Sequence, residues 1–91
     1  MTFQIEWYDA AQDDLRSLER EVAKRILKKV RSIELNPFHF VETLEGYPVY
    51  KLRVGDYRVI LNIDASKRFI AVILVGHRSK VYQELRRRIN P

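Results

Sequence analysis

The second half of the chain carries side chains of the types that handle an anion: Lys51, Arg53, Arg58, His77, Arg78, Lys80 and Tyr82. The first three fall on one predicted hairpin. Residues 50–54 and 57–63 alternate apolar and polar positions, and only Gly55-Asp56 separates them. That is the pattern of a tight β-hairpin. A two-residue loop sets Val54 opposite Tyr57, Arg53 opposite Arg58, Leu52 opposite Val59 and Lys51 opposite Ile60. Side chains alternate between faces. One face then carries Tyr50, Leu52, Val54, Tyr57, Val59, Leu61 and Ile63, a core surface. The other carries Lys51, Arg53, Arg58 and Asn62, with Val49 and Ile60 between them. Arginines placed directly opposite each other repel, at roughly 0.2–1 kcal/mol, and no carboxylate lies on that face of the hairpin. Two readings fit: a basic face splayed into water, or a site built to hold an anion. A phosphate would convert the repulsion into charge-assisted hydrogen bonds worth roughly 1.5–3 kcal/mol each.

The remaining candidates follow the next strand. Residues 69–75 are apolar at every position and rich in β-branched types, which reads as a strand central in its sheet. Beyond it, His77 and Arg78 have opposite parity, so only one can share the Arg53–Arg58 face of an unbroken strand. Gly76 leaves the choice open, because glycine marks bulges and bends. Ser79 is placed to cap a final helix with Val81, Leu85 and Ile89 as its apolar stripe. Tyr82 sits in its first turn, where packing is the plain alternative to chemistry. Arg86, Arg87 and Arg88 read as a solvated helix end, where the helix dipole favours cations. His39 has no histidine at metal-ligand spacing and reads as a surface loop residue.

Bulk properties narrow the classes. The chain has 91 residues, a formal net charge of +5, 46% hydrophobic residues and no cysteine. One domain, 1–91, is expected, with a core too rich for a disordered chain. Such a domain buries roughly 60–65% of its unfolded surface and has a stability of about 5–14 kcal/mol. Disulfides and thiolate metal sites are excluded, which suits a reducing compartment. The positive charge favours an anionic partner: RNA, DNA or an acidic protein. No apolar run is long enough to span a membrane. No basic-then-apolar N-terminal segment is present, so no signal peptide is expected. A cytoplasmic protein is the simplest expectation.

Other elements must position these groups. Phe3, Ile5 and Trp7 alternate with polar neighbours, giving a short first strand. Asp9 and Gln12 have the spacing of a capping box, and Asp13 and Asp14 then fall in the first helical turn. Leu15, Leu18, Val22, Ile26, Val30 and Ile33 form an apolar stripe, widened by Ala11, Ala23 and Leu27. This is one amphipathic helix or two; nothing local decides whether the chain turns near Glu19-Arg20. Asn36-Pro37 ends the helical segment. Residues 38–47 read as a loop, with Phe38 and Phe40 packed beneath it. Residues 64–67 make a second turn.

Three segments carry a resemblance to a known family: Leu44-Glu45-Gly46, the hairpin run from Tyr50 to Ile60, and Val75-Gly76-His77-Arg78-Ser79-Lys80-Val81-Tyr82. Together they resemble the RelE/ParE superfamily of toxins, and the final segment resembles the RelE branch. The resemblance implies an α+β fold: a small antiparallel sheet, an N-terminal helical hairpin on one face, broken near Glu19-Arg20, and a short C-terminal helix. It implies a ribosome-dependent endoribonuclease that cuts mRNA in the A site by 2′-OH attack on the adjacent phosphate, needing neither metal nor cofactor. Arg58 matches an arginine on the scissile phosphate, Arg78 one near the leaving group, Tyr82 the general base and Lys51 one of two lysines. Val49 stands where the family carries the other lysine. Arg53, His77 and Lys80 are the expected further RNA contacts. The implied partners are a RelB-like antitoxin, the ribosome and mRNA. The alternative is a ParE-like toxin that poisons DNA gyrase without cleaving RNA.

Overall fold

In the computed structural model, which describes residues 2–89, five strands and three α-helices are arranged as an α+β fold. The strands are β1 (Gln4–Trp7), β2 (Val41–Thr43), β3 (Tyr50–Val54), β4 (Tyr57–Asp64) and β5 (Phe69–His77). The helices are α1 (Asp9–Arg16), α2 (Arg20–Ser32) and α3 (Val81–Ile89). The sheet order is β1-β5-β4-β3-β2, so β5 is indeed interior. Strands β2 to β5 are antiparallel neighbours, whereas β1 lies parallel to β5 and makes the sheet mixed. A parallel neighbour needs a long crossover connection, and everything from α1 to β4 supplies it.

The hairpin has the expected register: Arg53 faces Arg58, Lys51 faces Ile60 and Val54 faces Tyr57. Gly55 sits at φ +58, which a glycine at the first turn position accepts without a Cβ clash. The predicted core face is real. Leu52, Val54, Val59, Leu61 and Ile63 are buried together with Ala11 of α1 and Ile26 and Val30 of α2, plus Ile33 beyond it. The helical stripe therefore does what its spacing dictates, except at Leu27, which is exposed.

Several local expectations fail for identifiable reasons. No capping box forms: Tyr8 is the N-cap of α1, and the Gln12 side-chain amide donates to Trp7 O at 3.2 Å. Ser79 does not cap α3; its hydroxyl meets the His77 ring nitrogen Nδ1 at 2.8 Å. Helix α2 stops at Ser32, before Asn36-Pro37. Residues 38–47 are not all loop, because Val41–Thr43 pairs with β3 as an edge strand. Phe38 and Phe40 are not packed away: they are 45% and 41% exposed.

Strand β5 contains the decisive irregularity. Ile60 pairs with Leu74 but its neighbour Leu61 pairs with Val72, so Ile73 is an extra residue, a β-bulge. The bulge reverses the facing of everything after it. Val72 and Val75 both join the core beneath α1 and α2, while Leu74 turns to the opposite face. There Leu74, Val49 and Ile60 meet Val81 and Leu85 of α3 in a second, smaller core. Gly76 is part of this docking rather than the bulge itself. A Cβ on it would lie 3.4 Å from that of Val81, so α3 docks on this glycine at contact distance.

Candidate functional site

Lys51, Arg53, Arg58 and Ile60 share one sheet face through the hairpin register. Helix α3 covers part of it and brings Tyr82 in. The Tyr82 ring is half-buried against the Val49, Ile60, Leu74, Val81 and Leu85 cluster. Lys51 Nζ stands 6.0 Å from its ring centroid, at the outer limit of a cation–π contact. A lysine and a tyrosine far apart in sequence thus meet because β3 and α3 sit on the same apolar patch. Glu42, opposite Lys51 on β2, adds a carboxylate to the face that the hairpin alone does not show. Among the described residues it forms no ion pair with Lys51.

The opposed arginines part company. Arg58 folds back on the turn, where Nη1 donates to Gly55 O and Tyr57 O, each at 2.9 Å. Among the described residues it meets no acid, and its Nε and Nη2 make no hydrogen bond. Those donors stay open to an anion. Arg53 is exposed and lies along the groove between the hairpin tip and α2.

Arg78 and His77 separate as their parity requires, and the bulge decides which goes where. Gly76 pairs with Arg58 and His77 with Tyr57. Arg78 extends the ladder, its N–H donating to Asp56 O at 2.8 Å. By alternation it belongs to the Arg58 side, and its Nε approaches Asp56 Oδ1 at 3.9 Å. Both side chains of that pair are well over half exposed, at 59% and 69%, so the contact contributes little and is easily exchanged. The His77 ring instead packs edge-on against Tyr57 at 5.4 Å, on the core-facing parity. His77 and Lys80 line a different cleft, of about 590 Å³, between the end of α1, β5 and α3. Among the described residues no cluster of His, Asp and Glu is placed to hold a metal ion. No helix is long and apolar enough to cross a membrane.

The residues that hold α3 in place were not singled out in the sequence for that task. Strand β1 ends its pairing at Val72, which leaves the β5 edge beyond it without a neighbouring strand. Asp14 of α1 takes over: its Oδ2 accepts the Val75 N–H at 3.0 Å. Arg88 of α3 closes on the same carboxylate with two bonds, 2.9 and 2.7 Å, and adds Ile73 O at 3.3 Å. Glu84 completes the cluster at 3.2 Å from Arg88 Nε. A buried strand edge must satisfy its polar groups, and here an aspartate–arginine fork does so. The Asp14 carboxylate, then desolvation acting against it, leaves the Arg88 guanidinium above its ordinary value. Asp14 is thus a tertiary clamp rather than a helix-dipole residue, and Arg88 is not a solvated helix end. Spacing on one helix carries no trace of such a pairing.

With that geometry in hand, the comparisons agree on the class. The chain belongs to the ParE toxin family of type II toxin–antitoxin systems, within the RelE/ParE superfamily; the family's model, "ParE toxin of type II toxin-antitoxin system, parDE", matches residues 5–82. A free-state mutant of the Escherichia coli toxin RelE is 30% identical and covers 98% of this chain and 99% of its own, with a TM-score of 0.74. A chain of the archaeal RelE–RelB complex from Pyrococcus horikoshii is 27% identical, covers 89% of this chain and all of its own, and has a TM-score of 0.74. The YoeB/ParE toxin from Agrobacterium tumefaciens has a TM-score of 0.69 at 18% identity, over 82% of this chain and 98% of its own, a likeness of fold alone. No curated protein sequence matches.

Proposed function

We propose that this toxin is a ribosome-dependent endoribonuclease that cleaves mRNA in the A site without metal or cofactor. The observation that carries the reading is Tyr82 held beside Lys51 on the sheet face that also bears Arg58. In this reading Tyr82 takes the proton from the message's 2′-OH, which attacks the adjacent phosphate. Lys51 supplies positive charge beside that tyrosine. Arg58 uses its open donors on the non-bridging oxygens, and Arg78, released from its exposed contact with Asp56, attends the departing 5′-oxygen. The partners in this reading are the ribosome, mRNA and a RelB-like antitoxin; the P. horikoshii structure is itself a RelE–RelB complex.

Toeprinting in a reconstituted translation system tests it. A positioned base contributes roughly 10²–10⁴-fold, so Tyr82→Phe should lose most cleavage. Removing one charge-stabilising donor costs about 10²–10³-fold, the loss expected for Arg58→Ala. Both variants should melt and bind ribosomes as the wild type does. Wild-type cleavage by either would sink the proposal.

The ParE family match over residues 5–82 favours a second reading, a gyrase poison that cuts no RNA. Labelled methionine and thymidine uptake after induction separates the two. Arrest of methionine uptake supports the nuclease; arrest of thymidine uptake alone supports the poison.

A further inference from the structure

A second concentration of positive charge lies away from Tyr82. Between α2 and the β3–β4 turn runs a groove of about 370 Å³ lined by Arg25, Lys28, Lys29, Ser32, Arg53, Val54 and Gly55. Among the described residues none of its four cations is within ion-pair distance of an acid. The Arg25 guanidinium reaches the hairpin turn, with Nη1 at contact distance, 3.5 Å, from where a Cβ on Gly55 would stand. Unneutralised like charges crowded at one groove raise the free energy of the isolated protein, and a polyanion relieves it.

The neighbouring rings say which polyanion. Lys29 Nζ sits 5.0 Å from the centroid of Phe40, which is 41% exposed. Phe38, 45% exposed, meets Tyr50 edge-on at 5.6 Å. Cations alone would suit an acidic peptide equally well. Cations beside exposed aromatic rings suit a single-stranded nucleic acid, whose phosphates take the charges and whose bases stack.

We infer that the α2–hairpin groove, with Phe40 at its margin, is a second contact for single-stranded RNA, outside the proposed cleavage site. The inference rests on the nuclease reading for the identity of the RNA as message. Arg53 links the two places, since it lines the groove and stands directly opposite Arg58. The RNA strand leaves the scissile phosphate at Arg58, crosses the hairpin at Arg53 and lays its flanking phosphates along Lys28, Lys29 and Arg25.

Fluorescence anisotropy of the full chain with a 12-nucleotide 2′-O-methyl RNA, which has no attacking hydroxyl, tests this across a salt series. Each phosphate contact on a single strand adds about 0.7 to the log–log salt slope. Lys28→Gln with Lys29→Gln should flatten the slope by about 1.4 and leave the melting temperature unchanged. Lys67→Gln with Arg68→Gln removes equal charge at the β4–β5 turn, remote from the groove, and should keep the wild-type slope. Phe40→Ala should weaken binding about tenfold with the slope retained. The inference is overturned by a wild-type slope in the Lys28/Lys29 variant, by equal flattening in the control, or by no binding to the wild type. It is equally overturned if the groove variants lose only antitoxin capture. Toeprinting needs no groove variant, so the cleavage reading stands or falls separately.

Discussion

The two faces of the sheet are built on different principles. Beneath α1 and α2, buried side chains from β3, β4 and β5 and from both helices close a continuous apolar core, with Ile5 and Trp7 of β1 and Val41 of β2 packed against it. Beneath α3, among the described residues, only Val49, Ile60, Leu74, Val81 and Leu85 are buried together, and cations stand around them. The first face carries most of the stability. The second keeps its charged groups accessible and holds its cover by a polar clamp at the β5 edge. A small domain can thus place unbalanced charge on one face if the other closes the core alone.

The largest test of that contrast is Leu61→Ala, in the fully buried core. It should cost about 2–5 kcal/mol, as large-to-small core changes do, read from the urea midpoint. Leu85→Ala, on the α3 side, should instead loosen α3 locally: its amides would exchange faster while β4 stays protected. Equal global destabilisation by both would break the contrast.

Asp14→Ala comes next. It strands a mostly buried Arg88 and the Val75 N–H together. Breaking a buried pair costs about 3–5 kcal/mol, and partial exposure should bring this nearer 2. Hydrogen exchange should report α3 opening first. Arg53→Ala should be neutral or stabilising by up to roughly 0.2–1 kcal/mol, since it relieves the facing pair; a clear loss in chemical denaturation would mean the basic face is structural.

The smallest effect lies at the β4–β5 turn, where Asp64 accepts the Ser66 hydroxyl and the Lys67 N–H. These hydrogen bonds, the serine's foremost, lower the Asp64 carboxyl below its ordinary value. A lowered carboxyl stabilises the fold above its unfolded pKa of about 4, and that stabilisation fades as pH falls through the lower folded value. Ser66→Ala should therefore lower the melting temperature slightly at neutral pH, with the difference vanishing in acid.

The hairpin register, the facing arginines and the helical stripe were all legible, because each depends on local periodicity. The break at Glu19-Arg20 was legible only through the family resemblance, there being no Gly or Pro to mark it. Strand β2 is not legible in the sequence, because Val41-Glu42-Thr43 is too short to show a period. With it goes Glu42, which faces Lys51. Of the candidate site, Lys51, Arg53 and Arg58 were placed correctly on one face. The division of His77 from Arg78 turns on the bulge at Ile73, in a run so uniformly apolar that no position stands out.

The chain's own pattern determined the β3–β4 hairpin pairing and which faces of the strands and helices are apolar, since alternation and helical spacing act over a few residues. Only the folded molecule decided that Tyr82 meets Lys51, that Asp14 meets Arg88, and that β1 runs parallel to β5. Those contacts join residues far apart along the chain, and they are selected by what remains unburied or unpaired once the local elements have packed.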